Sequence, residues 1–459
     1  MRVVRNKWKN LGLLLFLAVL LGLFLTLDLH GQVLNSRALV IDITPTPVVY
    51  PACNIIDKIL QDDPELNSIE LRVGDDEISY TEERFARNSA GKIVLEKGKP
   101  KITTVKKKDF EKEIALKLLN TQTCQTEIIK ITKKGRQLIP PLGYEIGVIT
   151  KPSGILWNAW NTYYEVIYPE NRVVIKNVYP LIESTRRITQ TVTGKNGKKE
   201  KVNKTIPSIV KNIVYVPYSD EIRTTETERK GREEITRIVE AARNLLNERA
   251  VYSKAFPTKL VTEILPAEYY HRRPVIEQSD LGEFILDPNG TVDRFLVILG
   301  TNGKKAWSET CNNSGACGLY QFTDNGSRGT YRTVVKSFPV AKLIKDFQTG
   351  ASDQVNSAMS AMLLDDLNLA ELKRRYGEKI INDPKLEEYL AAAYNGAPKW
   401  VHQSLNATLG KNVVEWGKHL RPETVGFMVK LRYLRDNNLP VPEGNFASAE
   451  VAFLLSTFK

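Results

Sequence analysis

In the stretch Trp307–Tyr331, WSETCNNSGACGLYQFTDNGSRGTY, one acid precedes two cysteines six apart and the run Gly-Leu-Tyr-Gln-Phe-Thr. Glu309 is the only acidic residue between Asp293 and Asp324. A carboxyl group donates a proton near neutral pH only if apolar and aromatic walls raise its pKa from about 4.3. On an exposed loop the same residue is one more solvated charge. Gly315 and Gly318 suit a backbone that must come close to a neighbour or a ligand. Gln321 carries both a donor and an acceptor. Tyr320 and Phe322 could pack beneath such a site, and Trp307 could line a cleft or anchor a helix end.

Two later segments belong with this one: AAAYNGAPKWV, residues 391–401, and RPETVGFMVKLRYL, residues 421–434. With Glu309 and GACGLYQFT they resemble the soluble lytic transglycosylase (SLT) domain, a relative of goose-type lysozyme. That family carries a catalytic Glu, then GA-x-GLMQ, then AYN-x-G, then a closing helix with an ET pair. The resemblance covers about a third of the chain. It implies a mostly helical, lysozyme-like domain that cleaves the β-1,4 link between N-acetylmuramic acid and N-acetylglucosamine in peptidoglycan. The muramic acid C6 hydroxyl attacks, leaving a 1,6-anhydro end. One Glu serves as general acid and then as base, so the second carboxylate of ordinary retaining glycosidases is not needed. On this reading Glu309 is the catalytic residue. Gln321, Tyr394, Asn395, Tyr320 and Gly318 are the substrate-binding positions, with the Tyr394 hydroxyl near the acid. Glu423 and Thr424 read as a helix N-terminal signal.

The acid stands closer to the Gly-Ala pair than the family's pattern places it. Glu309 precedes Gly315 by only six residues, and Thr310 stands where the family usually has Ser. Three readings remain open. The loop is shortened and pinned by Cys311–Cys317, or the acid is lost and the domain only binds glycan, or Glu283 or Asp293 is recruited. The first is preferred. Beyond the transglycosylase, the alternatives are a hydrolytic muramidase and a non-catalytic peptidoglycan-binding or scaffold protein of an envelope assembly.

The remaining sequence must position these residues. The chain has 459 residues and a net charge of +12, enough for two or three domains. Arg2, Arg5, Lys7 and Lys9 precede the apolar run Leu11–Leu27, which would reach about 25 Å as a helix. The expectation is a transmembrane anchor over 1–30, N-terminus cytoplasmic, with the catalytic domain on the extracytoplasmic side of the cell membrane. A cleaved signal peptide is the rival reading.

Residues 31–50 read as a proline-containing stalk. Residues 51–220 read as α+β or β-rich modules of unknown function. Hairpins are expected around Gly74-Asp75-Asp76, within KIVLEKGKPKITTVK, and at Asn196-Gly197, and an amphipathic helix capped by Asp109 over FEKEIALKLLN, Phe110 to Asn120. Residues 221–280 read as a charged helical spacer whose apolar stripe could instead pack on a neighbour. The helical catalytic domain spans 281–440 and a tail 441–459.

Four cysteines suit an exported chain with two disulfides. Cys53–Cys124 and Cys311–Cys317 are preferred because each stays within one expected domain. No CxxC spacing and only four histidines argue against a metal site, and no cofactor is expected. The basic segment 186–204 could meet an anionic envelope polymer, although a solvated edge hairpin guarded by lysines is the plainer reading. Nucleic acid is not an expected partner.

Overall fold

The strand Ile102–Asn120 (β2) organises the first half of the protein. It is bordered on one edge by β3 (Thr126–Lys134) and on the other by β1 (Val73–Phe85) along its first half and β7 (Arg172–Thr193) along its end; all pairings are antiparallel. The computed structural model describes residues 53–86, 94–96, 99–150, 154–155, 158–193, 199–312, 314–324, 329–408 and 416–441. A short β4 (Gln137–Ile139) closes one side of the sheet, and β8 (Lys199–Tyr215) pairs with β7 on the other. A separate ladder joins β5 (Glu145–Thr150) to β6 (Tyr163–Tyr168).

Two local expectations fail in β2 and β1. The helix expected over Phe110–Asn120 is strand. Phe110, Ile114 and Leu118 recur every four residues, a spacing that fits a period of two as well as one near 3.6. Pairing on both edges then decides in favour of strand, over the helix propensity of Glu, Lys and Leu. The buried amines on this sheet are matched: Asp63 accepts hydrogen bonds from Lys117 and Lys176. The hairpin expected at Gly74-Asp75-Asp76 is instead part of β1, where a register shift between Val73 and Glu77 absorbs the extra residues. The strands on either side of Asn196-Gly197 do pair, Thr193 with Lys199, the turn itself lying outside the described residues, and a smaller ladder pairs Leu95–Glu96 with Lys99–Pro100.

The expected fold class and localisation are corrected. The described residues hold a large β-sheet region followed by helices. None of those helices is long and apolar enough to cross a membrane. The run Leu11–Leu27 that suggested the anchor lies outside the described residues, as do the stalk and the tail beyond 441. The single-pass anchor, and the cytoplasmic N-terminus and extracytoplasmic catalytic domain inferred from it, are withdrawn.

Helix α1 (Ile55–Leu60) packs against β7, and the Cys53–Cys124 disulfide ties its entry to the end of β2. After β8 the chain enters α2 (Thr225–Glu248), started by a capping box on Thr224. This helix is not an isolated spacer. Its stripe Ile235, Ile238, Val239, Ala242 and Leu246 is buried, largely against α5 (Pro288–Asn302). The crossing depends on two glycines. A Cβ on Gly231 would lie 2.1 Å from the Leu296 carbonyl oxygen, and one on Gly300 would lie 2.4 Å from that of Thr227.

Further helices, besides short ones at Pro64–Asn67, Phe347–Ser352 and Glu378–Ile381, are α3 (Ala267–Gln278), α4 (Leu281–Leu286), α6 (Thr330–Ser337), α7 (Gln354–Tyr376), α8 (Leu386–Gly396), α9 (Pro398–Thr408) and α10 (Pro422–Asp436). One apolar core runs from the strands into these helices, so the boundaries expected at 220 and 280 do not separate cores.

Gly231→Ala should lower the unfolding free energy by about 1–3 kcal/mol through overpacking, even though alanine is the better helix former by about 1 kcal/mol. Urea denaturation of the two proteins checks this; a more stable variant would contradict the close crossing.

Candidate functional site

Helix α3 carries an uncommon arrangement. Pro274 lies inside it and lacks the N–H that would bond the Tyr270 carbonyl. The Tyr320 hydroxyl donates to that carbonyl instead, at 3.2 Å. The exit of the helix is held from two directions. Gln278 Nε2 donates to the carbonyls of Gly318 and Leu319 at 2.9 and 3.0 Å. Lys430 of α10 donates to the carbonyls of Ile276 and Ser279 at 2.5 and 2.9 Å. Carbonyls at a helix C-terminus have no intrahelical donor, and a cation there also complements the helix dipole. A β-bridge between Ile155 and Ser279, with the Asp280 amide donating to Gly154 O at 2.8 Å, brings the strand region to the same point.

Between these supports sits Glu277. It lines a cavity of about 580 Å³ together with Gln321, Tyr394, Asn395, Glu423 and Lys430. Its side chain is surrounded by protein yet half-buried, because the cavity admits solvent. Among the described residues no hydrogen bond or ion pair reaches its carboxyl. Burial pushes the Glu277 pKa up to about 7, against the pull of Arg273 and Lys430 and with a smaller push from Glu423. Burial also brings Lys430 down to about 8, opposed by Glu277, Asp280 and Glu423. A carboxyl that is part protonated near neutrality can give a proton and take one back.

Behind the cavity lies a buried ion pair. Arg273, one turn before Glu277, donates to Asp365 Oδ2 of α7 at 3.0 Å. Its guanidinium lies 4.1 Å from the Tyr394 ring centre and 4.8 Å from that of Tyr269. Burial pushes Asp365 up to about 6 despite Arg273 beside it, so the pair is ionic at pH 7. The Tyr394 hydroxyl donates to the Tyr320 carbonyl at 2.7 Å. Burial, and next the negative charge of Glu277, hold that phenol well above its ordinary range, so it remains a donor.

The residues expected from the sequence divide into three groups. Gln321, Tyr394 and Asn395 line the cavity. Gln321 is braced at both ends: its Nε2 donates to Gly318 O at 2.8 Å and its Oε1 accepts from Asn312 at 3.2 Å. Asn395 Oδ1 accepts from Thr424 Oγ1 at 2.9 Å, which ties α8 to the first turn of α10. Tyr320 and Gly318 stand behind the wall. Tyr320 is fully buried, with its hydroxyl committed to α3. A Cβ on Gly318, which has φ of +76°, would lie 1.7 Å from the Ala351 carbonyl oxygen. Their roles are to shape the turn rather than to touch a ligand.

Glu309 stands apart. It accepts a hydrogen bond from Lys211 of β8 and does not line the cavity. The Cys311–Cys317 disulfide forms, but Glu309 lies outside the loop it closes and is held to the sheet by Lys211 rather than in the cleft. Trp307 is an anchor, stacked on Phe295 at 4.9 Å. Glu283 and Asp293 also lie off the cavity lining, and Asp293 pairs with Arg223. Glu277 went unread because it precedes Gly315 by 38 residues, with α4 and α5 intervening. The available signal was local: in RRPVIEQS a single acid closes an apolar helical run.

No metal-binding group of three or more His, Cys, Asp or Glu occurs among the described residues. Comparison of the chain with protein-family models, curated proteins and solved structures returned no match.

Glu277→Gln should stabilise the fold, and by more as pH rises. The folded-state pKa lies above the ordinary value, so the stability contributed by the bound proton is complete below the unfolded pKa and lost as pH rises through about 7. Thermal melts at about pH 5 and pH 8 check this: the gap between variant and wild type should widen at the higher pH.

Proposed function

We propose that this protein is a lytic transglycosylase that cleaves the β-1,4 bond between N-acetylmuramic acid and N-acetylglucosamine in peptidoglycan, with Glu277 as its proton carrier. One observation carries the reading. A half-buried carboxyl, poised near neutrality, shares a cavity with Gln321, Tyr394, Asn395 and Glu423. These residues come from the three segments whose resemblance to the SLT pattern was noted in the sequence. Glu277 takes the role expected of Glu309.

The chemistry follows from the carboxyl's two states. Protonated Glu277 gives its proton to the glycosidic oxygen, and the bond from that oxygen to C1 of the muramic acid breaks. N-acetylglucosamine leaves with a free C4 hydroxyl. The carboxylate then accepts the proton of the C6 hydroxyl as O6 bonds to C1, closing the 1,6-anhydro ring. The enzyme ends in its starting protonation state, with no water consumed and no cofactor involved. Gln321 and Asn395 supply amide groups suited to sugar hydroxyls and acetamides. Phe322, edge-on to Tyr394 at 5.7 Å, supplies apolar wall.

Glu423 favours one second reading. A second carboxylate on the cavity wall could orient a water molecule in place of the C6 hydroxyl, which would make the protein a hydrolytic muramidase.

Purified sacculi incubated with the protein should release muropeptides carrying anhydro ends, identified by mass. Reducing ends would establish the hydrolase, and no release would remove the enzymatic reading in favour of a glycan-binding one. Glu277→Gln should reduce release by about 10²–10⁴-fold. Glu309→Gln should leave it within about twofold, as an exposed ion pair is worth little.

A further inference from the structure

Lys430 places a buried charge in this site beyond what its hydrogen bonds need. It is only 6% exposed, and a buried ammonium costs several kcal/mol. Its three donors face the Ile276 carbonyl, the Ser279 carbonyl and, at 3.3 Å, the Ser279 hydroxyl. No donor is left over for a ligand. A neutral amide on α10 could hold two of those three oxygens, and the favourable term of a cation at a helix exit is smaller than the cost of burying an ammonium. It lines the cavity with Glu277, whose carboxyl has no hydrogen-bond partner among the described residues. Arg273, the other nearby cation, is committed to Asp365.

We propose that Lys430 is a positioning residue that fixes the last turn of α3 and, through its charge, makes the Glu277 proton available for transfer. The residue acts on the carboxyl across the cavity without touching substrate. Its cation favours the carboxylate left once the proton has gone, the form that must then accept the C6 hydroxyl proton. Other charged or titratable groups around the carboxyl and Lys430 are Arg273 on its own helix, with Asp365 of α7 behind it, Tyr394 of α8, Glu423 at the start of α10, and Asp280 beyond the exit of α3. Among them Lys430 and Arg273 favour ionisation of Glu277, and Glu423 opposes it.

The role in catalysis rests on the transglycosylase reading, but the electrostatic link does not, and the two can be tested separately. The full chain is labelled with carboxyl-¹³C glutamate, and the Glu277 signal is assigned by its loss in Glu277→Gln. Lys430→Gln keeps a donor for the helix exit and removes the charge. Glu277 should then titrate about one pH unit or more higher, and the alkaline limb of sacculus cleavage should move with it. Lys430→Arg, which keeps the charge, should restore both. The reciprocal arm follows the Lys430 ammonium by ¹⁵N: its midpoint should fall in Glu277→Gln, because coupling acts equally in both directions.

A Glu277 midpoint unchanged in Lys430→Gln overturns the proposal, and so does a Lys430 midpoint unchanged in Glu277→Gln. If Lys430→Gln does not fold, the reciprocal arm decides alone. Intact coupling in a protein that releases nothing from sacculi would remove the transglycosylase reading while leaving the electrostatic link standing.

Discussion

The buried pair of Arg273 and Asp365 is the constraint around which the helical half is built. Both side chains are almost wholly excluded from solvent, so each is tolerable only beside the other. The pair joins α3 to α7. The aromatic rings of Tyr269, Tyr394 and Phe427 around the guanidinium add α8 and α10. Removing one partner would strand a charge at a cost of about 3–5 kcal/mol. Four elements are therefore registered at one point, one helical turn from Glu277. The carboxyl owes its place in the cavity to that registration.

The same logic separates acids that work from acids that brace. Glu388 is also buried, though less deeply than Asp365, and Arg432 and the indole of Trp416 bond it directly at 2.7 and 3.1 Å. Despite burial, those partners bring its carboxyl below the ordinary range. Glu277 has neighbours of both signs and no direct partner among the described residues, and its carboxyl moves the other way. Depth and partners act together: wholly buried Asp365 stays raised even beside Arg273, whereas the several partners of Glu388 outweigh its burial.

Much of the helical half was legible in the sequence. The stripes Val355–Met362 and Leu386–Ala393 and the start of α10 at Pro422 follow from apolar periodicity and a proline suited to a first turn. The antiparallel pairing of β7 and β8 followed from the Asn-Gly pair in the sequence between them. What could not be read depended on contacts distant in sequence. Strand β2 looked helical because nothing local revealed its two flanking partners. Gln321, Tyr394 and Asn395 were found through motif order, which is sequential. Glu277 escaped because the two helices after it loop out and return, so distance along the chain misrepresents distance in space. Glu309 was attractive for the opposite reason: it is close to Gly315 in sequence, but Lys211 holds it to the sheet.

The hydroxyl of Tyr320 fills the gap that Pro274 leaves in α3. Neither residue is favourable without the other. A proline there would leave a buried carbonyl without its donor, and a buried phenol would have to find another acceptor. The two positions should therefore drift together through evolution. In related chains, loss of the proline would release the second site to accept methionine or phenylalanine, so covariation between these columns would be a historical trace of a single hydrogen bond.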